Sequence, residues 1–127
     1  MVAWKFSGEL SVSKQIADRL RADILNGVYA PGSQFPTVRS LALEAAVNPN
    51  TVQKAMTLLE SEGLVSSTST AGRFVTEDRS LLLEKHKELQ ECFLKETLSK
   101  AKELNISKEQ MIRFINEQYG QKEDNYE

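Results

Sequence analysis

A connection too short for a loop separates two helical patterns near the middle of this chain, and it constrains the fold more than any other feature. The first pattern, TVRSLALEAA at residues 37–46, places its apolar residues on one helical face. Only Val47 then precedes Asn48, whose side chain is suited to cap a helix, and Pro49, which is suited to the first helical position. Two helices joined so tightly indicate a helix-turn-helix arrangement.

The second of these helices has two faces of different composition. Its apolar residues recur at helical spacing, and they are Val52, Ala55, Met56 and Leu59. The opposite face carries short polar side chains and one cation: Asn50, Gln53, Lys54 and Thr57. Such side chains can hydrogen-bond adenine, reach guanine or contact a thymine methyl group in the DNA major groove. A solvated helix face of unusual composition is the alternative for this surface when it is taken alone.

Further elements are predicted on both sides of this pair. A helix is expected from Ser11 or Ser13 to about Asn26, and a β-hairpin is expected from the runs LVSST and RFVTE. The turn of that hairpin would use Ser69, Thr70, Ala71 and Gly72. A long helix over residues 79–104 and a last helix over residues 107–120 complete a mainly α fold with a small β-hairpin.

Several residues around the second helix are placed to assist DNA binding. Thr37 is a natural N-cap for the first helix of the pair, and Arg39 projects from its first turn. The hairpin that follows stands where a winged helix-turn-helix keeps its wing. Gly72 and Arg73 at its tip are then expected to reach the adjacent minor groove.

The stretch GVYAPGSQFPTVRSLALEAAVNPNTVQKAMTLLESEGLV, followed by AGRFV, resembles the amino-terminal winged-helix domain of the GntR family of bacterial transcription regulators. The similarity runs over about residues 13–75, and the VNPNTV form, Trp4 and the short helical tail look most like the YtrA-type branch. The resemblance implies DNA contacts from the residues that match the family motif: Arg39, Asn48, Asn50, Thr51, Gln53 and Gly72.

The chain departs from the family pattern at two places. Pro49 occupies a position where some relatives carry a DNA-contacting arginine. The wing reads Thr-Ala-Gly-Arg-Phe-Val rather than the usual Gly-Arg-Gly-Thr-Phe-Val, so one glycine and one arginine are missing from its tip. Arg73 is expected to replace the lost charge one or two residues along the strand.

Residues 79–127 are predicted to form a dimerisation segment after a DNA-binding domain at residues 1–78. Two helices can bury little against each other, so pairing with a second copy covers their broad apolar face. The residues expected at that interface are Leu82, Leu89, Phe93, Leu94 and Leu98. Packing of the tail onto its own winged domain is the alternative. His86 is expected to be a packed, hydrogen-bonded residue of the interface, and Cys92 to be partly buried, although a sensing role stays open for both.

Composition limits the other classes of function. The net charge of −2 gives no global positive field, so any basic surface must be local. One cysteine and one histidine exclude an internal disulfide and a zinc site built from these residue types. We expect no cofactor, no metal and no enzymatic activity, since no nucleophile–base set or phosphate-binding loop occurs. No segment predicts a membrane span, and a cytoplasmic location is expected.

The sequence therefore predicts a DNA-binding transcription regulator that acts as a homodimer on a pseudo-palindromic operator in double-stranded DNA. Repression is the default, because occlusion of an operator needs no further partner surface. A winged-helix module that only assembles proteins is the alternative. The operator sequence, the regulated genes and any small-molecule effector stay open.

Overall fold

A computed structural model describes residues 4–8, 11–68 and 71–123, the last three of them as backbone only. This part of the chain forms five helices and two strands. Their order is α1 (Val12–Leu25), α2 (Val38–Ala45), α3 (Pro49–Ser61), β1 (Val65–Thr68), β2 (Gly72–Val75), α4 (Arg79–Glu103) and α5 (Lys108–Glu123). The predicted mainly α fold with a small β-hairpin is confirmed. None of the described helices is long and apolar enough to cross a membrane.

The chain divides into two compact units, Met1–Glu88 and Leu89–Glu127. The first unit contains α1, α2, α3 and the hairpin together with the first turns of α4. The second unit contains the rest of α4 and α5. The continuous helix α4 therefore begins in one unit and ends in the other.

Helix α1 supplies one wall of the core of the first unit. Ser11 caps it, because the Ser11 hydroxyl accepts a hydrogen bond from the Lys14 backbone N–H at 3.4 Å. Gly27 follows the helix with φ +83°, the left-handed conformation typical of a residue just past a helix end. Its apolar face packs mainly on α3 and is fully covered: Ile16, Ala17, Leu20, Ile24 and Leu25.

The connection between α2 and α3 is the predicted tight turn. The Thr37 hydroxyl accepts a hydrogen bond from the Ser40 N–H at 3.0 Å, and the Asn48 carboxamide oxygen accepts one from the Asn50 N–H at 2.7 Å. Ala46, between the two helices, adopts a left-handed conformation with φ 57°. Both predicted N-caps are confirmed, and the turn fixes the start of α3 relative to α2.

The hairpin pairs β1 with β2 in antiparallel register, from Val65 opposite Val75 to Thr68 opposite Gly72. A segment before α2 extends this small sheet. Its Phe35 N–H donates to the Arg73 carbonyl at 2.7 Å, and an isolated bridge joins Gln34 to Phe74. The hairpin is thus anchored on its outer side. Of the residues predicted for its turn, Ser69 and Thr70 lie outside the described residues.

A two-pronged ion pair ties the end of α3 to α1. The Arg21 guanidinium donates to both carboxylate oxygens of Glu62, at 2.7 Å and 2.6 Å, and to Asp18 at 2.7 Å. The hydrogen bonds with Glu62, and then those with Asp18, outweigh the effect of burial and raise the pKa of Arg21. The guanidinium consequently stays charged, and the carboxyl-terminal end of α3 is held against α1.

Trp4, which precedes α1, packs on the winged domain. The Trp4 indole N–H donates to the Glu44 carboxylate at 2.8 Å, and the Arg19 guanidinium carbon lies 3.9 Å from the centre of the indole ring. The rings of Trp4 and Phe6 are 6.0 Å apart. Trp4 is therefore part of a local cluster with α1 and α2.

In the second unit, α4 and α5 are joined by a short capped turn. Ser107 and Gln110 form a capping box, because the Gln110 N–H donates to the Ser107 hydroxyl and the Ser107 N–H donates to the Gln110 side chain, at 3.1 Å and 2.8 Å. Asn105 turns the chain with φ 59°. Helix α5 continues to Glu123, past the predicted end near Gly120.

The second unit leaves most of its apolar side chains uncovered in the single chain. On α5, Met111 is half-buried, and Ile112, Ile115 and Tyr119 are exposed. Cys92 is exposed rather than partly buried, and its thiol donates to Glu96 at 3.6 Å. The physical reason is that a pair of helices covers only one line of contact, and in α4 only Ala101 is buried.

The glycine after α3 gives a test of this fold. Gly63 has φ +79°, and a Cβ there would lie 3.3 Å from Leu81 Cδ2, whereas at Gly27 none of the described residues comes within 4 Å. Gly63→Ala should lower the free energy of unfolding by about 1–2 kcal/mol, because an L-residue is strained in this conformation. The loss should exceed that of Gly27→Ala in urea denaturation, and equal losses would contradict the close approach of Leu81.

Candidate nucleic-acid interface

Helix α3 has a fully buried inner face and an exposed outer face. The inner residues Val52, Met56 and Leu59 are each 0% exposed, and Ala55 is 1% exposed. The outer residues are exposed, as the orientation predicted from the sequence requires: Asn50, Gln53, Lys54 and Thr57. The Thr57 hydroxyl donates to the Gln53 carbonyl at 3.0 Å, so this side chain is oriented by its own helix. The outer face therefore offers amide, hydroxyl and ammonium groups from a fixed backbone.

Asn48 both caps the amino-terminal end of α3 and faces outward. Asn48 is exposed, and its carboxamide oxygen is engaged as the cap, which leaves its amide nitrogen as the group that can donate to a ligand. Thr51 is half-buried in the first turn. Asn48 thus sets the direction of α3, and Asn50 is the first fully outward side chain after it.

The start of α2 contributes an exposed cation. Thr37 is exposed and serves as the N-cap, and Arg39 is exposed in the first turn. Neither Arg39 nor Lys54 has an ion-pair partner among the described residues. Their charges are therefore available to a ligand.

Local electrostatics favour an anion at this surface in spite of the negative net charge. Neither α2 nor α3 has an acidic residue in its first turn. The positive end of the helix dipole at both positions attracts phosphate. In the first turn of α3 the N–H groups are engaged within the chain, because Asn50 donates to the Asn48 side chain and Thr51 donates to the Asn48 carbonyl. The starts of α2 and α3, together with Arg39 and Lys54, form a local positive surface on a chain whose net charge is negative.

The tip of the hairpin is shaped by hydrogen bonds to its backbone. Gly72 is exposed with φ +87°. The Gln34 side-chain amide donates to the Ala71 carbonyl at 2.9 Å, and the Thr68 hydroxyl accepts from the Ala71 N–H at 3.1 Å. A side chain at Gly72 would meet the Gln34 amide nitrogen at 3.5 Å and would be strained by the backbone conformation. Gly72 therefore presents bare backbone.

Arg73 lies on the inner side of the hairpin instead of at its tip. Its side chain is 19% exposed, and its Nε is 3.4 Å from a carboxylate oxygen of Glu60 near the end of α3. Alternation along β2 explains the position, since Arg73 shares a face with the buried Val75. Glu60 and Gln34 are not among the predicted site residues, although alternation by two from the buried Val75 places Arg73 on the inner face.

The predicted interface residues of the tail fall into two groups. Phe93, Leu94 and Leu98 are exposed in the single chain, at 65%, 57% and 50%. Leu89 is half-buried, and Leu82 is half-buried in the first unit, where it lines a groove of about 220 Å³ with Leu25 and His86. The His86 Nε2 is 3.1 Å from the Asn26 carboxamide oxygen, so His86 is packed and hydrogen-bonded as expected.

Comparison with known proteins identifies similar chains over most of the length of this one. A family model for bacterial regulatory proteins of the gntR family matches residues 12–75, slightly more than half of the 127 residues. The HTH-type transcriptional regulator YhcF of Bacillus subtilis (strain 168) is 30% identical over 111 residues, which cover 87% of this chain and 92% of that protein. The HTH-type transcriptional repressor YtrA of the same strain is 35% identical over 72 residues, 57% of this chain and 55% of that repressor.

Solved structures show the same architecture. A GntR family transcriptional regulator from Listeria monocytogenes superposes with a TM-score of 0.80 at 27% identity, over 88% of this chain and 98% of that chain. The AraR DNA-binding domain in complex with operator ORX1 superposes with a TM-score of 0.52 at 28% identity, over 60% of this chain and 100% of that chain. The second match is a protein of similar fold bound to DNA.

The exposure of the outer face of α3 predicts how it responds to truncation. Asn50→Ala and Gln53→Ala should each change the free energy of unfolding by no more than about 0.5 kcal/mol, because neither side chain contributes to the core. Both variants should nevertheless bind DNA with reduced sequence preference. Thermal and urea denaturation measure the first effect. A loss of several kcal/mol would mean that these side chains support the fold and that the outer face is wrongly identified.

Proposed function

The chain belongs to the gntR family of bacterial regulatory proteins, and we propose that it represses transcription by binding a pseudo-palindromic operator as a homodimer. It is a DNA-binding transcription regulator with a winged helix-turn-helix domain, of the kind that includes YtrA and YhcF. The observation that carries the proposal is the outer face of α3, where polar side chains stand on a buried and capped helix. The alternative of a module that only assembles proteins lacks support, because the fold matches a domain bound to operator DNA.

The proposed contacts follow from the geometry of the first unit. The outer face of α3 enters the major groove, where Asn50 and Gln53 read base edges and Lys54 reaches a guanine or a phosphate. Arg39 and the amino-terminal ends of α2 and α3 hold the phosphate backbone. Gly72 brings the wing backbone close to the minor groove.

A homodimer is supported by the apolar surface of the second unit. Phe93, Leu94 and Leu98 are half-exposed or more, and covering each of them is worth about 1.5–3 kcal/mol. The groove of about 540 Å³ between α4 and α5, lined by Leu104, Met111 and other residues, adds to the uncovered apolar area. A second copy of the same tail covers this surface. It also brings a second α3, the reading helix of each copy, to the DNA, which doubles the contacts that one copy makes.

Repression is the direction of control that needs the fewest additional surfaces. A dimer seated across an operator blocks polymerase by its presence alone. The relative YtrA is named a transcriptional repressor, and it shares the DNA-binding part of this chain at 35% identity. Transcription from a promoter that contains the operator should therefore rise when the protein is removed.

Electrophoretic mobility shift against a random duplex library tests DNA binding directly. We expect retarded complexes, recovery of a pseudo-palindromic sequence on repeated selection, and affinity that falls steeply as salt rises. The selected duplex then serves as the probe for the variants below. Absence of salt-dependent binding would contradict the proposed function.

Arg39→Ala should weaken binding to the selected duplex by about 1–3 kcal/mol, the cost of losing a good base or phosphate contact. The reason for this expectation is that the Arg39 guanidinium is exposed in the first turn of α2 and has no ion-pair partner among the described residues. Fluorescence anisotropy with labelled duplex gives the affinity, and a thermal melt confirms that the variant is folded. Unchanged affinity in a protein that melts like wild type would refute the contact.

Replacement of Phe93 and Leu94 by Asp should yield a monomer, because the charges oppose burial of the proposed interface. The monomer should keep its winged fold, yet bind the full palindrome only about as well as a half-site. Size-exclusion chromatography with light scattering measures the mass. Leu43→Asp is the matched control, since Leu43 is 77% exposed on α2, and this variant should remain a dimer. Wild-type protein that is monomeric at tens of micromolar would overturn the dimer.

A further inference from the structure

The only arginine of the hairpin is directed at the reading helix. Arg73 Nε lies 3.4 Å from the Glu60 carboxylate, with 19% of the arginine side chain and 27% of the glutamate side chain exposed. The same Nε is buried and has no hydrogen-bond partner among the described atoms. Burial of a cation is costly unless an anion lies close by, so Glu60 is what keeps Arg73 in this position.

The backbone on both sides of this pair is fixed. Arg73 pairs with Ser67 across the hairpin, and its carbonyl accepts from the Phe35 N–H at 2.7 Å. Glu60 stands in the last turn of α3, whose inner face is the core of the unit. The ion pair therefore joins two rigid elements, the reading helix and the wing, rather than two flexible surface side chains.

The outward surface of the wing has a different character. Ser66 and Thr68 are exposed on the other face of β1, and residues 65–75 contain no cation other than Arg73. The wing thus offers hydroxyls and backbone to a ligand, while its single charge points inward. A direct phosphate contact by Arg73 would require it to leave Glu60 and expose the carboxylate to the DNA.

We propose that Glu60 and Arg73 are positioning residues that set the wing against α3, so that Arg73 assists DNA recognition through Glu60 and not by touching DNA. This inference rests on the proposed DNA-binding function. It assigns the wing a role in specificity through its fixed spacing from the reading helix. The base pairs that depend on it are those next to the ones contacted by α3.

A second ion pair on the same helix end provides the control. Glu62, two positions after Glu60, holds α3 to α1 through Arg21, and its carboxylate forms no ion pair with the described residues of the hairpin. Glu62→Gln and Glu60→Gln change the net charge equally and at nearly the same place. A general effect of charge or of stability on DNA binding appears in both variants, whereas an effect on the wing appears only in Glu60→Gln.

The experiment measures the affinity of Glu60→Gln, Arg73→Met and the double variant for the duplex selected by the wild-type chain. Each single variant should bind the duplex with roughly tenfold lower affinity than wild type. The double variant should bind no more weakly than the weaker-binding of the two single variants, because the two residues act as one unit. The dependence of affinity on salt should stay unchanged. Sequence preference should fall at the flanking base pairs and not at those under α3.

Direct contact by Arg73 gives the opposite pattern. Arg73→Met then loses affinity and reduces the salt slope by about one, while Glu60→Gln binds as well as wild type or better. That pattern would overturn the inference, as would wild-type affinity in all three variants or an equal loss in Glu62→Gln. If Arg73→Met does not fold, the charge exchange E60R with R73E replaces it, and recovery of affinity relative to Glu60→Arg alone is expected. Failure of wild-type protein to select any duplex would instead remove the proposed function itself.

Discussion

Burial of the apolar stripe of α3 is the interaction on which the other features of the structure depend. Val52, Met56 and Leu59 are covered completely by α1, α2 and the hairpin, and each contributes about 1.5–3 kcal/mol relative to an exposed side chain. The stripe fixes the rotation of α3, and the rotation decides which residues face outward. A turn of the helix by one residue would bury Gln53 or Thr57 without partners, so the outer face and the core are determined together.

Local sequence signals are sufficient to predict the helices, the two strands and the orientation of α3. The caps at Thr37 and Asn48 and the proline at the first position of α3 each have a short-range physical cause, and each is found as predicted. The resemblance to the GntR family rested on the same stretch, and it is confirmed by the family match over residues 12–75. Exposure of Asn50 and Gln53 follows from helical periodicity alone.

Contacts between distant residues were not visible in the same way. The partner of Arg73 depends on the register of β2 and on where α3 ends, and neither is encoded near residue 73. The bridge from Gln34 to the hairpin depends on a segment before α2. In the tail, periodicity identified the apolar stripe but not what covers it, because a stripe has the same pattern whether its partner is the same chain or a second copy.

The central claim is that the outer face of α3 and the start of α2 are the surface that meets DNA. Backbone amide chemical shifts of the isotopically labelled full chain, recorded while the selected duplex is added, test it most directly. We expect the largest changes in chemical shift at residues 37–40 and 48–57 and smaller changes near Gly72. Residues 108–120 should show no change that is caused by direct contact with DNA. Shifts concentrated in residues 108–120, with residues 48–57 unchanged at saturation, would contradict it.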